Sequence, residues 1–310
     1  MSNNIVLFMI LGIVGIFAAV LVAVAWKFST RMVCPNTICR EESYEKELKN
    51  GTISIAVEET IVSEDVNILS KYGYSLEGKL FLTEDSNKIV ILCHGINSTI
   101  FQMYKYRDMY IELGFSVLIY DQRNHGNSGG KNTTYGFYEK YDLLNWVTWL
   151  KHRISSDIVI GFHGESMGAA IALQAINIAE VDFCVADSSF SNLETEIIDR
   201  FEKKYNFSHK IITELVKIIC RLRTGMVFSD VSPVKAVSQS TYNVPIMIVH
   251  GMLDNLVPPQ MGLDIYEHIK GQVYRQMLAV VDAGHIEAVV KDRYGYLNAL
   301  KKFLNGCGVR

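Results

Sequence analysis

From about Leu69 onward, short apolar runs alternate with segments of helical periodicity, and this alternation constrains the fold more than any other feature of the chain. It is the pattern of βαβ units built around a mostly parallel sheet. The runs expected as strands are Ser75–Leu82, Ile89–His94, Ser116–Asp121, Ile158–His163, Phe183–Asp187, Pro245–His250 and Gln276–Val281. Strands covered by helices on both faces read as unbroken apolar runs, and Ile89-Val90-Ile91-Leu92 and Ile246-Met247-Ile248-Val249 read that way. Helices are expected near Ile100–Leu113, Tyr138–Arg153, Met167–Ile178, Pro259–Ile269 and Glu287–Leu304. Around residues 191–243 the alternation gives way to a mainly helical insertion. Within it, His209–Arg223 places Ile211, Ile212, Leu215, Ile218, Ile219 and Leu222 on one face. An insertion so late in the sheet is expected to act as a cap over the strand ends.

A second signal lies at the N-terminus. From Ile5 to Trp26 the chain runs 22 residues without a charge, enough at about 1.5 Å per residue to cross roughly 30 Å of hydrocarbon. A cleaved signal peptide carries its positive charge before a shorter apolar run, whereas here Lys27, Arg31 and Arg40 follow it. One transmembrane anchor over residues 1–30 is therefore expected, with a juxtamembrane connector over 31–70 and the α/β domain over 71–310. The positive-inside rule then places that domain in the cytoplasm. Thirty basic and 33 acidic residues give a formal charge of −3, so no basic excess points to nucleic acid. The six cysteines show no regular framework, which fits a reduced compartment and leaves a Cys34–Cys39 pair as an open alternative.

The chemistry is concentrated at Gly164-Glu165-Ser166-Met167-Gly168. A Gly-x-Ser-x-Gly pentapeptide arises by chance in about one chain in ten of this length, so alone it is modest evidence and its setting matters more than its letters. A strand run ends immediately before it and Ala169-Ala170-Ile171-Ala172-Leu173 begins a helix after it. Such a sharp strand-to-helix turn exposes the serine hydroxyl at the top of the sheet. The bland reading is an N-cap serine in an ordinary loop. A serine hydroxyl needs a base, and His285 lies after the last strand run in Asp282-Ala283-Gly284-His285. His94, His163 and His250 end strands and read as structural. The base needs an acid. Asp254 follows a strand in His250-Gly251-Met252-Leu253-Asp254, with Asp187 as its competitor and Asp282 as a loop residue. Oxyanion donors are expected from the N–H of Met167, directly after the serine, and of Ile96, in the turn allowed by Gly95.

Together these segments resemble the α/β-hydrolase superfamily, closest to membrane-anchored, small-capped hydrolases grouped with serine aminopeptidase-like and cephalosporin-deacetylase-like esterases. The resemblance covers about Tyr72 to Leu304 and rests on His94-Gly95, Tyr120 through Gly130, Gly164–Gly168, Ala186-Asp187-Ser188, His250 through Asp254, and Gly284-His285. It implies an α/β-hydrolase fold and the chain order Ser166, Asp254, His285 for the triad. It also implies that Asp121, Arg123 and His125 are structural, in a loop where Asn124 replaces the usual glycine. The expected activity is cleavage of a small acyl ester, thioester or lipid-derived substrate through an acyl-enzyme on Ser166. A peptidase or amidase with the same triad, and a silent binding protein on a hydrolase scaffold, are the alternatives. No cofactor is expected, since neither a metal-binding pattern nor a dinucleotide fingerprint is present.

Overall fold

The computed structural model describes residues 2–58, 60–84, 86–205 and 210–309. Among them are eight strands: β1 (Glu64–Leu69), β2 (Ser75–Phe81), β3 (Lys88–Cys93), β4 (Ser116–Tyr120), β5 (Val159–Glu165), β6 (Phe183–Asp187), β7 (Ile246–Gly251) and β8 (Arg275–Val280). They form one sheet in the order β1-β2-β4-β3-β5-β6-β7-β8. The first two pairings are antiparallel and the rest are parallel. The helices are α1 (Ser2–Val33), α2 (Arg40–Lys49), α3 (Ile55–Glu58), α4 (Tyr104–Glu112), α5 (Glu139–Arg153) and α6 (Met167–Ala175). They continue with α7 (Leu193–Tyr205), α8 (Lys210–Thr224), α9 (Pro233–Gln239), α10 (Pro259–His268), α11 (Ala288–Lys291) and α12 (Arg293–Gly306).

The period of two along each strand divides the core into two layers. In β3, Ile89, Ile91 and Cys93 face Trp146 of α5, Ile171 of α6 and Ile265 of α10. Val90 and Leu92 face the opposite layer, with Tyr106 and Met109 of α4 and Leu300 and Phe303 of α12. Ile89 through Cys93 are all fully buried, and burial of each large aliphatic side chain is worth about 1.5–3 kcal/mol. The continuous apolar run therefore follows from the two-sided cover.

Two expected boundaries shift. The connector over 31–70 contains α2 and also supplies β1, so the sheet begins at Glu64. The terminal helix expected over Glu287–Leu304 is two helices, because Asp292 leaves helical geometry and its carboxylate caps Gly295 N. The insertion over 191–243 holds α7, α8, a 3-10 turn and α9. Its amphipathic helix begins at Lys210; His209 lies outside the described residues. All six cysteines are free thiols.

The segment after α1 is tied to the domain by an ion pair. Arg40 Nε lies 2.6 Å from Asp121 Oδ2, with the Asp121 side chain fully buried. The same carboxylate accepts from the N–H groups of Ile100 and Asn127. Burial raises the Asp121 carboxyl pKa, and Arg40 and these donors work against that rise. Removing one partner leaves the other charge buried and uncompensated. Arg40→Ala is expected to cost about 3 kcal/mol, read as a lower thermal midpoint of the full chain in detergent.

Candidate active site

Ser166 sits between β5 and α6 with φ +53° and ψ −118°. A non-glycine residue in that region costs about 1–3 kcal/mol and needs its surroundings to hold it. Here Ser166 N donates to Asp187 O at 2.8 Å, and Ser166 O accepts from Ala170 N at 3.1 Å. The flanking glycines are required by close approach. A Cβ at Gly164 would lie 2.2 Å from Gly168 O, and one at Gly168 would lie 2.0 Å from Cys93 O. Glycine at both flanking positions thus lets α6 start directly over the end of β3.

The three expected residues meet. His285 Nδ1 is 2.7 Å from Asp254 Oδ2, and His285 Nε2 is 2.8 Å from Ser166 Oγ. With Nδ1–H donating to the carboxylate, Nε2 is left to accept from the serine hydroxyl. Asp254 Oδ1 accepts from Leu256 N and Val257 N at 2.9 and 2.8 Å, and Oδ2 also lies 3.4 Å from His250 Nε2. Burial pushes the Asp254 carboxyl pKa up, but hydrogen bonds from His250 and His285, the charge of His285 and the Val257 N–H outweigh it. The carboxyl is held well below the usual range. The turn bearing Asp254 is pinned to the His285 loop by Leu253 N donating to Ala283 O at 2.9 Å.

The competing acid has other partners. Asp187 is fully buried and accepts from Tyr106 OH (3.0 Å), Tyr296 OH (3.2 Å) and Ser188 Oγ (2.9 Å). Asp282 is exposed. Sequence reasoning passed over a group that shapes the histidine loop. Ile286, next to His285, has φ +55°, rare for a β-branched residue. Its N–H donates to Ser188 Oγ at 3.2 Å, and its carbonyl accepts from Lys105 Nζ at 3.3 Å. Lys105 is in turn paired at 2.8 Å with Glu165, whose side chain is fully buried. No local pattern signals this pairing, since Lys105 lies in α4 and Glu165 at the end of β5.

Met167 is the first residue of α6, so its N–H has no intrahelical acceptor. Ile96 lines the same cleft as Ser166 and Met167. In the turn that carries it, Asn97 and not Gly95 takes the left-handed conformation, with φ +58°. His94 and His125 lock this turn to its neighbour. His94 Nε2 accepts from Gln122 N (3.0 Å) and His125 Nε2 accepts from Asn97 N (3.2 Å). Burial, reinforced by nearby His125, pushes His94 down to about 3, which keeps the accepting nitrogen unprotonated. Asn124 stands at φ +64°, and asparagine is among the few residues besides glycine that tolerate this region. Arg123 is engaged by Asn132, 2.8 Å from its carbonyl oxygen and from its Oδ1. Among the described residues no group of three or more His, Cys, Asp or Glu could hold a metal ion.

A predominantly parallel sheet with a serine turn at its carboxyl edge defines an α/β hydrolase. Residues 84–186 match the family described as serine aminopeptidase, S33. The Bacillus subtilis protein YqkD is 30% identical over 296 residues, covering 94% of this chain and 95% of its own. The thiohydrolase AneE of Aspergillus aculeatus is 32% identical over 122 residues, 38% of each chain. The solved structure of the Pyrococcus furiosus esterase Pf2001 aligns with a TM-score of 0.66 at 25% identity, covering 82% of this chain and 95% of that one. The chain belongs to the α/β-hydrolase superfamily as a serine aminopeptidase-like member.

Proposed function

We propose that the chain is a serine hydrolase cleaving carboxylic ester or thioester bonds through an acyl-enzyme on Ser166. The observation that carries this reading is the chain of hydrogen bonds from Ser166 through His285 to Asp254, at 2.8 and 2.7 Å. The likeness to an esterase of Pyrococcus furiosus and to a thiohydrolase of Aspergillus aculeatus supports the bond class.

In the proposed reaction Ser166 Oγ forms a bond to the acyl carbon while its proton passes to His285 Nε2. The N–H groups of Ile96 and Met167 stabilise the oxyanion, each worth on the order of 2.7–4 kcal/mol. As the tetrahedral intermediate collapses, the bond to the alcohol or thiol breaks and that group takes the proton from His285. A water then gives a proton to His285, attacks the acyl carbon, and releases the acid as Ser166 Oγ regains the proton. Asp254, ionised throughout, holds the imidazole and offsets its transient positive charge.

We assign α1 as a single-pass anchor, with the hydrolase domain on the cytoplasmic side. It is long and apolar enough to cross a membrane, and exposed Lys27 and Arg31 follow the apolar stretch.

The test is hydrolysis of a p-nitrophenyl ester series by the full chain in detergent, with fluorophosphonate labelling beside it. Ester turnover with label on Ser166 is the expected result. A folded protein that neither turns over any ester nor takes label would overturn the reading in favour of a binding scaffold. Faster cleavage of a matched amide than of its ester would move the assignment to peptidase chemistry.

A further inference from the structure

The cleft over Ser166 has a wall that belongs to α1. Met32, in the last turn of that helix, lines it together with Ile96, Tyr135, Phe190, Leu193 and Ile197. Its polar side carries the ion pair of Arg200 with Glu196. The placement of Met32 is enforced on several sides. Ala25, Ser29 and Val33 form a buried stripe on α1 at helical spacing. Tyr135 OH donates to Met32 O at 3.2 Å, and Thr133 N donates to Val33 O at 2.8 Å. The Arg223 guanidinium of α8 donates to Ser29 Oγ (3.0 Å) and Thr30 Oγ1 (2.8 Å) and lies over the Trp26 ring.

Residues 4–20 of the same unbroken helix are exposed along their whole length. They extend about 25 Å at 1.5 Å per residue, close to the thickness of a bilayer's hydrocarbon. From Trp26, where the uncharged stretch ends, to Met32 is six residues, about 9 Å of helix rise. The helix that would cross the membrane therefore continues directly into the wall of the cleft.

The cap adds a second apolar surface. The apolar face of α8 divides: Val216 and Ile219 are buried, while Ile211, Ile218 and Leu222 are exposed at 68%, 53% and 82%. Spacings of seven and four residues put those three in one stripe. Exposed Lys210, Glu214 and Arg221 border it, two cations to one carboxylate, and a helix with an apolar stripe and a net basic rim can rest on an anionic lipid surface.

We propose that the cleft takes the acyl chain of an ester resident in the bilayer, drawn in along α1 and the outer stripe of α8, with Met32 setting the chain length accepted. This rests on the serine-hydrolase reading above. The experiment uses the full chain in vesicles of phosphatidylcholine and phosphatidylglycerol, with p-nitrophenyl palmitate in the bilayer and p-nitrophenyl acetate in the water. Met32→Trp, which fills the cleft, is expected to lower the palmitate-to-acetate ratio of kcat/KM about tenfold or more, the scale on which a pocket discriminates chain size. Leu222→Asp is expected to lower turnover of vesicle-held palmitate several-fold relative to the same ester in detergent micelles. An unchanged palmitate-to-acetate ratio in Met32→Trp would remove α1 from the acyl site. An unchanged vesicle-to-micelle ratio in Leu222→Asp would remove the bilayer route, as would Leu222 lying between two copies in a cross-linked dimer. Wild-type protein active on acetate and inert on palmitate overturns this proposal and leaves the hydrolase reading standing. Inactivity on both esters with no fluorophosphonate label overturns the two together.

Discussion

Ser166→Ala and His285→Ala are each expected to lower kcat on p-nitrophenyl esters by about a millionfold, and the double variant to fall no further. The equality of the three losses is the informative part. Ser166 Oγ and His285 Nε2 are 2.8 Å apart, so the hydroxyl is a nucleophile only while that nitrogen can take its proton. Either deletion removes the same step, and independent contributions would multiply. A residual rate above background should survive, because neither substitution touches the Ile96 and Met167 N–H groups. Asp254→Asn should cost less, about ten-thousandfold, because it leaves nucleophile and base in place but favours the wrong imidazole tautomer. Purified variants with unchanged thermal midpoints would be compared under saturating ester. A His285→Ala variant retaining a tenth of the wild-type rate would show that another group serves as base. His250 is engaged elsewhere, its Nε2 lying 3.0 Å from Val257 O and 3.4 Å from Asp254 Oδ2.

The sequence made the sheet and the serine turn legible because both follow from local rules. Continuous apolar runs mark strands buried on two faces, and β3 through β7 appear within two residues of where those runs lie. Asp254 and His285 both follow strand runs at the carboxyl edge, the resemblance to α/β hydrolases points to Asp254 over Asp187, and these are the residues that meet Ser166. Strand β1 escaped because an edge strand has one solvated face: Glu64, Asp65 and Asn67 are exposed and only Val66 is buried. The buried stripe of α1 escaped for a different reason. An apolar helix has the same composition whether it faces lipid or protein, so nothing local in Leu21–Val33 announces that Ala25, Ser29 and Val33 face the cap. The α8 face was legible as amphipathic, but periodicity alone does not divide an apolar arc between an inward half and an outward one. The Lys105–Glu165 pair joins residues 60 positions apart, which only the tertiary fold brings together.

Gly168→Ala is expected to disable the site without touching any side chain of the triad. The added Cβ would lie 2.0 Å from Cys93 O and 2.7 Å from His94 O, where a Cβ essentially never comes within 3.0 Å and ordinary contact is 3.4–4 Å. Both obstacles are backbone atoms of the chain leaving β3, so no rotamer change relieves them. Either α6 must withdraw from the sheet or the 93–96 segment must move away from α6. Overpacking of a tight core costs about 1–3 kcal/mol, and more where nothing can give, so a loss at or above the top of that range is expected in the thermal midpoint. The catalytic cost is separate. Met167 N–H rides on α6 and Ile96 N–H on the segment being pushed, so a shift of about 1 Å between them breaks up the proposed oxyanion pair and should lower kcat roughly a hundredfold. Gly271→Ala is the matched control, since a Cβ there meets nothing within 4 Å; it should leave stability and kcat within experimental error. If Gly168→Ala behaved like Gly271→Ala, the close crossing of α6 over β3 would be wrong, and with it the placement of both oxyanion donors. If stability fell while kcat held, the glycine would serve packing alone and the oxyanion donors would have to be sought elsewhere on the 93–99 turn.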